Sequence, residues 1–132
     1  MSNTDVLIVD DHTAVRQTLR AWLSAALPEC AVFEAADGEE ALGFVRTHSP
    51  CVVLMDLNLG GASGLDATRS IKALSPTTQV VIVSLTETDN HRDAATAAGA
   101  VGYVAKERMG FELLPILERL LPARARRRSP LA

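Results

Sequence analysis

The segment CVVLMDLN, residues 51–58, is the feature that most constrains the fold of this chain. Five apolar residues lead into the carboxylate of Asp56, and the glycines Gly60, Gly61 and Gly64 follow within a few positions. An uninterrupted apolar run bounded by turn residues is typical of a strand that is buried on both faces of a sheet. Because ligands of parallel sheets lie off the carboxyl ends of the strands, Asp56 is predicted to face a ligand crevice.

Four other apolar segments have the length of strands, and a helical pattern follows each strand. The strands are expected at residues 5–9, 30–35, 51–58, 79–84 and 102–105. The helices are expected to begin near Thr13, at the capping box 37–40, at Ser63, after the capping residue Asp89 and near Phe111. Strands that alternate with helices indicate a parallel sheet covered on both faces, with right-handed connections.

The length of 132 residues suits one domain with its own core. An open sheet is favoured over a closed barrel, which needs about 250 residues. The predicted fold class is therefore α/β, a flavodoxin-like (βα)5 doubly wound parallel sheet with strand order 2-1-3-4-5 in a single domain. The domain is expected to span residues 4–121, and residues 122–132 are expected to form a basic linker or tail.

Three local expectations concern the helices. Thr13 is expected to cap the first helix. In the third helix, Leu74 is expected to face the core together with Leu65 and Ile71. Pro115 would break the interior of a helix, so the last helix is expected to begin late, near Phe111, which leaves the proline in or close to the first turn.

Composition and charge limit the possible functions. Hydrophobic residues make up 48% and charged residues 22%, which is ordinary for a globular protein. The polar start MSNTD and the lack of a long apolar run predict a cytoplasmic protein with no membrane segment. Residues 1–118 hold eight Lys/Arg and sixteen Asp/Glu, a net of −8, whereas residues 119–132 hold five arginines and no acid, a net of +5. The acidic body argues against direct nucleic-acid binding by this domain.

The two cysteines are expected to fill the core. Cys30 and Cys51 open two strands that the predicted order separates by a third strand. The separation of about 10 Å, at strand spacings of about 4.8 Å, is too large for a disulfide. Neither cysteine has a partner at zinc-ligand spacing.

The predicted strand order brings polar residues from four strand ends to one place. Asp10 and Asp11 follow the first strand, Asp56 ends the third, Ser84 ends the fourth and Lys106 follows the fifth. Each ionised pair of carboxylates costs roughly 3 kcal/mol at about 5 Å and an effective dielectric near 20, so the cluster requires a proton or a cation. Mg2+ suits one or two carboxylates plus a phosphate.

These residues predict a phosphoryl pocket. The carboxylate of Asp56 can attack phosphorus and form an acyl phosphate. Lys106 is long enough to reach across the fourth strand and neutralise a phosphoryl oxygen, and the hydroxyl of Ser84 can contact another.

The whole set resembles the receiver domain of bacterial two-component response regulators over residues 4–121. The matching segments are LIVDDH, VVLMDLN with Gly64 eight residues after Asp56, VIVS and GAVGYVAK, in this order. The resemblance implies that Asp56 accepts a phosphoryl group from a sensor histidine kinase and that the domain then switches conformation. It implies no enzyme in the ordinary sense, since the domain catalyses only its own phosphorylation and dephosphorylation.

The resemblance also assigns roles to individual residues. Asp56 is implied to be the phosphoacceptor, assisted by Ser84 and Lys106. The implied Mg2+ ligands are Asp11, Asp56 and the main-chain oxygen of Asn58, with Asp10 acting through water. The implied switch residues are Ser84 and Tyr103. For Tyr103, a switch aromatic and a merely buried strand aromatic are both compatible with the sequence.

Four positions depart from the family pattern. Glu107 follows Lys106, where many receivers have a proline with a cis peptide bond. Gly60 replaces a common proline, so that Gly60 and Gly61 are expected to leave their loop mobile. Leu85 is larger than the usual Ala or Gly, and Thr86 lacks the acid or amide that can orient a hydrolytic water. We expect the phosphorylated form to lose its phosphate slowly.

The segment DDHTAVRQTL, and Lys106 without a following proline, resemble most closely the LuxR/NarL-type regulators, whose output is a helix-turn-helix domain. Control of transcription through such a domain, absent from this chain, is therefore expected. The basic tail RARRRSP is compatible with a linker to that domain or with the end of a single-domain regulator. A homodimer through the fourth helix, fifth strand and fifth helix, or through another face, is a further expectation.

Three other readings stay open at this point. The pair Asp56 and Asn58 resembles the nucleophile motif of phosphatases of the haloacid dehalogenase type, although that family has its nucleophile strand first. A binding module without phosphorylation would not need the complete set of site residues. An FMN-binding flavodoxin would have a Ser/Thr-rich phosphate loop after the first strand, which this sequence lacks.

Overall fold

The computed structural model describes residues 4–85 and 89–123. Its strands are β1 (Asp5–Val9), β2 (Ala31–Ala35), β3 (Val52–Asp56), β4 (Asn58–Leu59), β5 (Ala62–Ser63), β6 (Gln79–Ser84) and β7 (Gly102–Ala105). The central sheet has five parallel strands in the order β2-β1-β3-β6-β7. The predicted flavodoxin-like order 2-1-3-4-5 is confirmed, since β6 and β7 are the fourth and fifth strands of this sheet.

Helices cover both faces of the sheet. They are α1 (Thr13–Ala26), α2 (Gly38–His48), α3 (Gly64–Leu74), α4 (Asp89–Ala98) and α5 (Met109–Leu120), with a short 3-10 helix (Lys106–Arg108) before α5. Helices α1 and α5 pack on one face, and α2, α3 and α4 pack on the other. None of the helices in the described ranges has the length and apolarity needed to span a membrane.

Strand β3 is buried at every position, as its apolar run predicts. Leu54 packs into the core beneath α1 and α5, whereas Val53 and Met55 pack into the core beneath α2 and α3. Because successive side chains of a strand point to opposite faces, β3 contributes residues to both cores. Cys30 and Cys51 lie partly buried beside the α1 and α5 core, and neither is in a disulfide.

The predicted caps at α2 and α3 are present. The Asp37 side chain accepts a hydrogen bond from the Glu40 N–H at 2.9 Å, and the Ser63 hydroxyl accepts one from the Leu65 N–H at 3.1 Å. Helix α4 begins at Asp89 itself, which was expected to precede it.

Two expectations about helix residues are wrong. Thr13 does not cap α1, because the helix begins at Thr13 and His12 occupies the cap position with extended backbone angles. Leu74 does not face the core. It is the last residue of α3 and is 44% exposed.

The expectation that α5 begins near Phe111 is also wrong. The helix begins at Met109, so Pro115 lies in its middle. Proline lacks the N–H that would pair with the carbonyl four residues earlier, here that of Phe111. Phe111 and Pro115 are both on the exposed side of α5, where water can satisfy this carbonyl. The buried side of the helix, with Leu113 and Leu117, keeps its packing.

We expect Pro115→Ala to raise the free energy of unfolding by about 2 kcal/mol, which is the helix-interior penalty of about 3 less roughly 1 from the freer unfolded chain. The matched control is Pro76→Ala. Pro76 lies in the exposed turn after α3, so its loss should instead lower stability by about 0.4–1 kcal/mol. Urea unfolding of both variants measures the gain and the loss of stability. A loss of stability in Pro115→Ala would contradict this account of α5.

Candidate functional site

Polar side chains from four strand ends meet at the carboxyl edge of the sheet. Asp10 follows β1, Asp56 is the last residue of β3 and Ser84 is the last residue of β6, while Lys106 follows β7. Because β1 and β7 flank β3 and β6, the side chain of Lys106 must cross β6 to reach the acids. Asp10, Asp56 and Ser84 are buried.

The ammonium of Lys106 lies between the two buried carboxylates. Its Nζ is 3.2 Å from Asp10 Oδ2 and 3.3 Å from Asp56 Oδ2. Only 15% of the Lys106 side chain is exposed, so water screens these ion pairs weakly. The pocket thus contains one positive group shared by two negative ones.

The pKa values of these groups follow from burial and from this sharing. Burial raises the pKa of Asp56 above its ordinary value, and the hydrogen bond from the Asn58 N–H and the charge of Lys106 offset only part of the rise. Burial also acts to raise the pKa of Asp10, but the His12 N–H and Lys106 outweigh it and leave that pKa lowered. Burial acts to lower the pKa of Lys106, whereas the charges of Asp56 and Asp10 leave it raised. The ammonium therefore stays protonated at neutral pH.

Asp10 is held almost entirely by protein groups. Its Oδ1 accepts a hydrogen bond from the His12 N–H at 2.8 Å and lies 3.1 Å from His12 Nδ1. Its Oδ2 accepts a hydrogen bond from the Lys106 ammonium. Its main-chain carbonyl accepts a hydrogen bond from Arg16 at 2.6 Å, and Arg16 also donates to Glu34 at 3.2 Å. With both oxygens engaged, Asp10 is poorly placed for direct contact with an ion.

Asp11, His12 and Asp56 surround a space that suits a cation. One ligand atom from each of these residues and from Asp10 lies within 4.8 Å of all the others. Asp11 and His12 are the exposed members, with 32% and 67% of their side chains open to solvent. Asn58 lies at the same edge, where its N–H donates to Asp56 Oδ1 at 3.2 Å. Oxygen donors at this spacing fit a small divalent ion such as Mg2+.

Two glycines bring the backbone close to these acids. Gly60 and Gly61 form the tight turn of the β4–β5 hairpin, with φ of 56° and 95°. Mobility of this loop stays a prediction. A Cβ on Gly60 would lie 3.0 Å from Asp11 Oδ2. A Cβ on Gly64 would lie only 2.1 Å from the main-chain oxygen of Asp56. Both positions therefore favour glycine, and the acids keep their places because of it.

Ser84 and Tyr103 share one face of the sheet. Ile82 pairs with Tyr103 and Ser84 with Ala105, so alternation puts Ser84 and Tyr103 on the side of α4. Tyr103 is 8% exposed, and the Arg92 guanidinium lies 5.1 Å from its ring centre. Leu85, next to Ser84, is 78% exposed, and Thr86 lies outside the described residues. No cis peptide bond occurs in the described ranges, which include Lys106 and Glu107.

Sequence reasoning named the acids, Ser84 and Lys106 but missed three contributors to this site. His12 and Arg16 contact Asp10, and Gly60 makes room for Asp11. The position of His12 directly after the acid pair is the one signal in the sequence that could have drawn attention to it.

Comparison with known proteins gives one consistent family. Residues 6–118 match the family model described as response regulator receiver domain. The transcriptional activator protein ExaE of Pseudomonas putida is 38% identical over 128 residues, which are 96% of this chain and 59% of that protein. The chain thus spans less than two thirds of this relative.

The chain is also similar to solved structures of response regulators. A two-component response regulator of the LuxR family from Aurantimonas sp. SI85-9A1 is 35% identical with a TM-score of 0.84, and the match covers 98% of this chain and 91% of that one. The response regulator TrrA from Thermotoga maritima, solved in complex with Mg2+-BeF, is 25% identical with a TM-score of 0.78, covering 89% and 99%.

We expect Lys106→Met to lower the free energy of unfolding by about 3 kcal/mol at neutral pH, because two buried carboxylates lose their shared counter-charge. The loss should shrink as the pH falls. A group whose folded-state pKa is raised, here Asp56, binds its proton more tightly in the folded protein and so adds stability at low pH, and this contribution disappears as the pH rises through that pKa.

Urea unfolding in a chelating buffer between about pH 4 and pH 8 measures this dependence. Asp56→Asn is the matched background, because an amide cannot ionise. In that background Lys106→Met should lower the free energy of unfolding by less, and the loss should depend less on pH. An equal cost in both backgrounds would mean that the ammonium does not hold the acids together.

Proposed function

Since the chain belongs to the response regulator receiver domain family, we propose that it is a conformational switch driven by phosphorylation of Asp56. It is the receiver domain of a two-component response regulator of the LuxR/NarL type. The observation that carries the proposal is the buried Asp56 carboxylate with the Lys106 ammonium 3.3 Å away, a nucleophile paired with a movable positive charge. Family membership removes the dehalogenase-type phosphatase and the flavin-binding module as alternatives.

The chemistry proposed is a transfer from a phosphohistidine of a sensor kinase. A carboxylate oxygen of Asp56 attacks phosphorus, an O–P bond forms, and the N–P bond of the donor breaks, with the electron pair leaving on the imidazole nitrogen. The new phosphoryl group brings more negative charge into the pocket. Lys106 can then turn from the two carboxylates toward a phosphoryl oxygen, since it already lies between them.

The metal site proposed uses Asp11, Asp56 and the main-chain oxygen of Asn58, with Asp10 acting through water. The clustering of the acid oxygens supports it, as does the engagement of both Asp10 oxygens by protein groups. The Mg2+-BeF complex of the Thermotoga maritima relative supports Mg2+ as the ion. When bound, Mg2+ neutralises charge that develops on the phosphoryl oxygens.

The switch proposed runs from Ser84 to the face formed by α4, β7 and α5. The hydroxyl of Ser84 would move toward the phosphoryl group and leave space on the side where Tyr103 lies. Helix α4 is the element expected to respond, because its buried residues are only the small Ala95 and Ala98. An altered face there suits a homodimer or the release of an output domain.

The wider role remains part of the proposal. We place the domain at residues 4–121, take residues 122–132 as a basic linker or tail, and propose control of transcription through a helix-turn-helix output domain. The partners proposed are a cytoplasmic sensor-kinase domain and a second copy of the chain through the α4-β7-α5 face or another face. The location proposed is the cytoplasm. The domain would catalyse only its own phosphorylation and dephosphorylation.

Incubation of the protein with acetyl phosphate and Mg2+ is expected to add the mass of one phosphoryl group, measured by intact mass spectrometry. Asp56→Asn should abolish the addition, because an amide is not a nucleophile toward phosphorus. Asp66→Asn is the matched control, since Asp66 is an exposed acid that pairs with Arg69 away from the pocket. An unchanged mass in the wild-type protein would contradict the proposal and favour a binding module without phosphorylation.

Leu85→Ala is expected to speed the loss of the phosphoryl group several-fold, by opening the pocket to the attacking water. The exposed Leu85 side chain adjoins the buried Ser84, so its removal should not disturb the core. Time courses of the phosphorylated mass measure the decay, and Leu74→Ala, another exposed leucine, serves as control. Equal decay rates in all three proteins would remove the role of Leu85.

A further inference from the structure

His12 lies inside the acid cluster rather than beside it. Its Nδ1 is 3.1 Å from Asp10 Oδ1 and 3.1 Å from Asp11 Oδ1. It also belongs to the set of four ligand atoms, with Asp56, that all lie within 4.8 Å of one another. The His12 side chain is 67% exposed, so the imidazole covers this set from the solvent side.

We propose that His12 is a nitrogen ligand for transition dications of the Fe2+, Co2+ and Ni2+ kind in this pocket and raises its affinity for them, while Mg2+ binding depends on the oxygen donors alone. This inference rests on the proposed metal site and adds a ligand of a different chemical class to it. Carboxylate and carbonyl oxygens suit Mg2+ and Ca2+, whereas imidazole nitrogen suits the later transition ions.

The spacing of the donors agrees with a shared ion. Neighbouring ligands of an octahedral ion lie about 3 Å apart when the metal–ligand bonds are about 2.1 Å long. The distance from His12 Nδ1 to Asp11 Oδ1 has this length, and opposite ligands of such an ion fall within the 4.8 Å extent of the cluster. One ion can therefore contact the imidazole, Asp11 and Asp56 without a change of fold.

The backbone keeps the imidazole in this place. The His12 N–H donates to Asp10 Oδ1 at 2.8 Å, and His12 is the cap residue from which α1 begins. Arg16, one turn into α1, donates a hydrogen bond to the Asp10 carbonyl at 2.6 Å and another to Glu34. A ligand fixed at both its main chain and its neighbouring acid loses little freedom when an ion binds.

A second role fits the same distances and predicts the opposite result. A protonated His12 would donate from Nδ1 to the two carboxylates and act as a built-in counter-ion, in competition with any metal. Removal of the imidazole would then strengthen the binding of every dication. Removal of a ligand would instead weaken the binding of transition ions and leave Mg2+ binding unchanged.

The test is titration calorimetry of the untagged full chain with CoCl2 and separately with MgCl2, for the wild type and for His12→Ala. We expect His12→Ala to weaken Co2+ binding by about tenfold. We expect its Mg2+ affinity to equal that of the wild type within error. The matched control is His48→Ala, because His48 ends α2, where it stacks on Phe44 far from the acids in sequence and structure.

Proton NMR of the Co2+-loaded protein gives a second readout that does not depend on affinity. An imidazole bound to Co2+ should give one strongly shifted, solvent-exchangeable N–H signal, present in His48→Ala and lost in His12→Ala. Absence of this signal in the wild type, equal weakening for both metals, or tighter binding in His12→Ala would overturn the role of His12. Asp11→Asn separates the two proposals: if the wild type binds Mg2+ and Asp11→Asn does not, the proposed metal site stands even where the His12 inference fails.

Discussion

The shared ion pair at the edge of the sheet is the interaction on which the rest of the site depends. Two carboxylates buried at the ends of β1 and β3 would repel each other, and Lys106 from the far side of β6 offsets that repulsion. Such an arrangement is costly to bury, and loss of the Lys106 ammonium would leave two buried carboxylates without a counter-charge. The same balance makes the pocket responsive, since any added charge on Asp56 changes what Lys106 can pair with.

Close backbone approach sets the shape of the pocket as much as its charges do. Gly64 lets the start of α3 lie against the main chain of Asp56, and the Gly60 turn lets the β4–β5 hairpin lie against Asp11. A side chain at position 64 would collide with the main chain of Asp56, and one at position 60 would press on the Asp11 carboxylate. The geometry of the acid cluster therefore comes from positions that carry no chemistry themselves.

The site is connected to both helical layers. Lys106 opens the short turn that leads into α5, while Ser84 and Tyr103 lie on the side of α4. Arg16 and His12 connect Asp10 to the start of α1. A change of charge at Asp56 can thus reach the starts of α5 and α1 through Lys106 and Asp10, which contact one another.

The sequence by itself determined the five strands, the parallel sheet and the acids, Ser84 and Lys106 at the strand ends, because apolar periodicity and turn residues are local properties of the chain. It misjudged Thr13, Leu74 and the start of α5, where one residue's surroundings decide the outcome: Pro115 is tolerated inside the helix because the carbonyl it leaves unpaired lies on the exposed side. Only the tertiary structure placed His12 among the acids and turned the Gly60–Gly61 loop into a hairpin against Asp11. His12 is next to Asp10 and Asp11 in the chain, but its approach to Asp56, like that of Gly60 to Asp11, joins segments far apart in the sequence, which no local pattern contains.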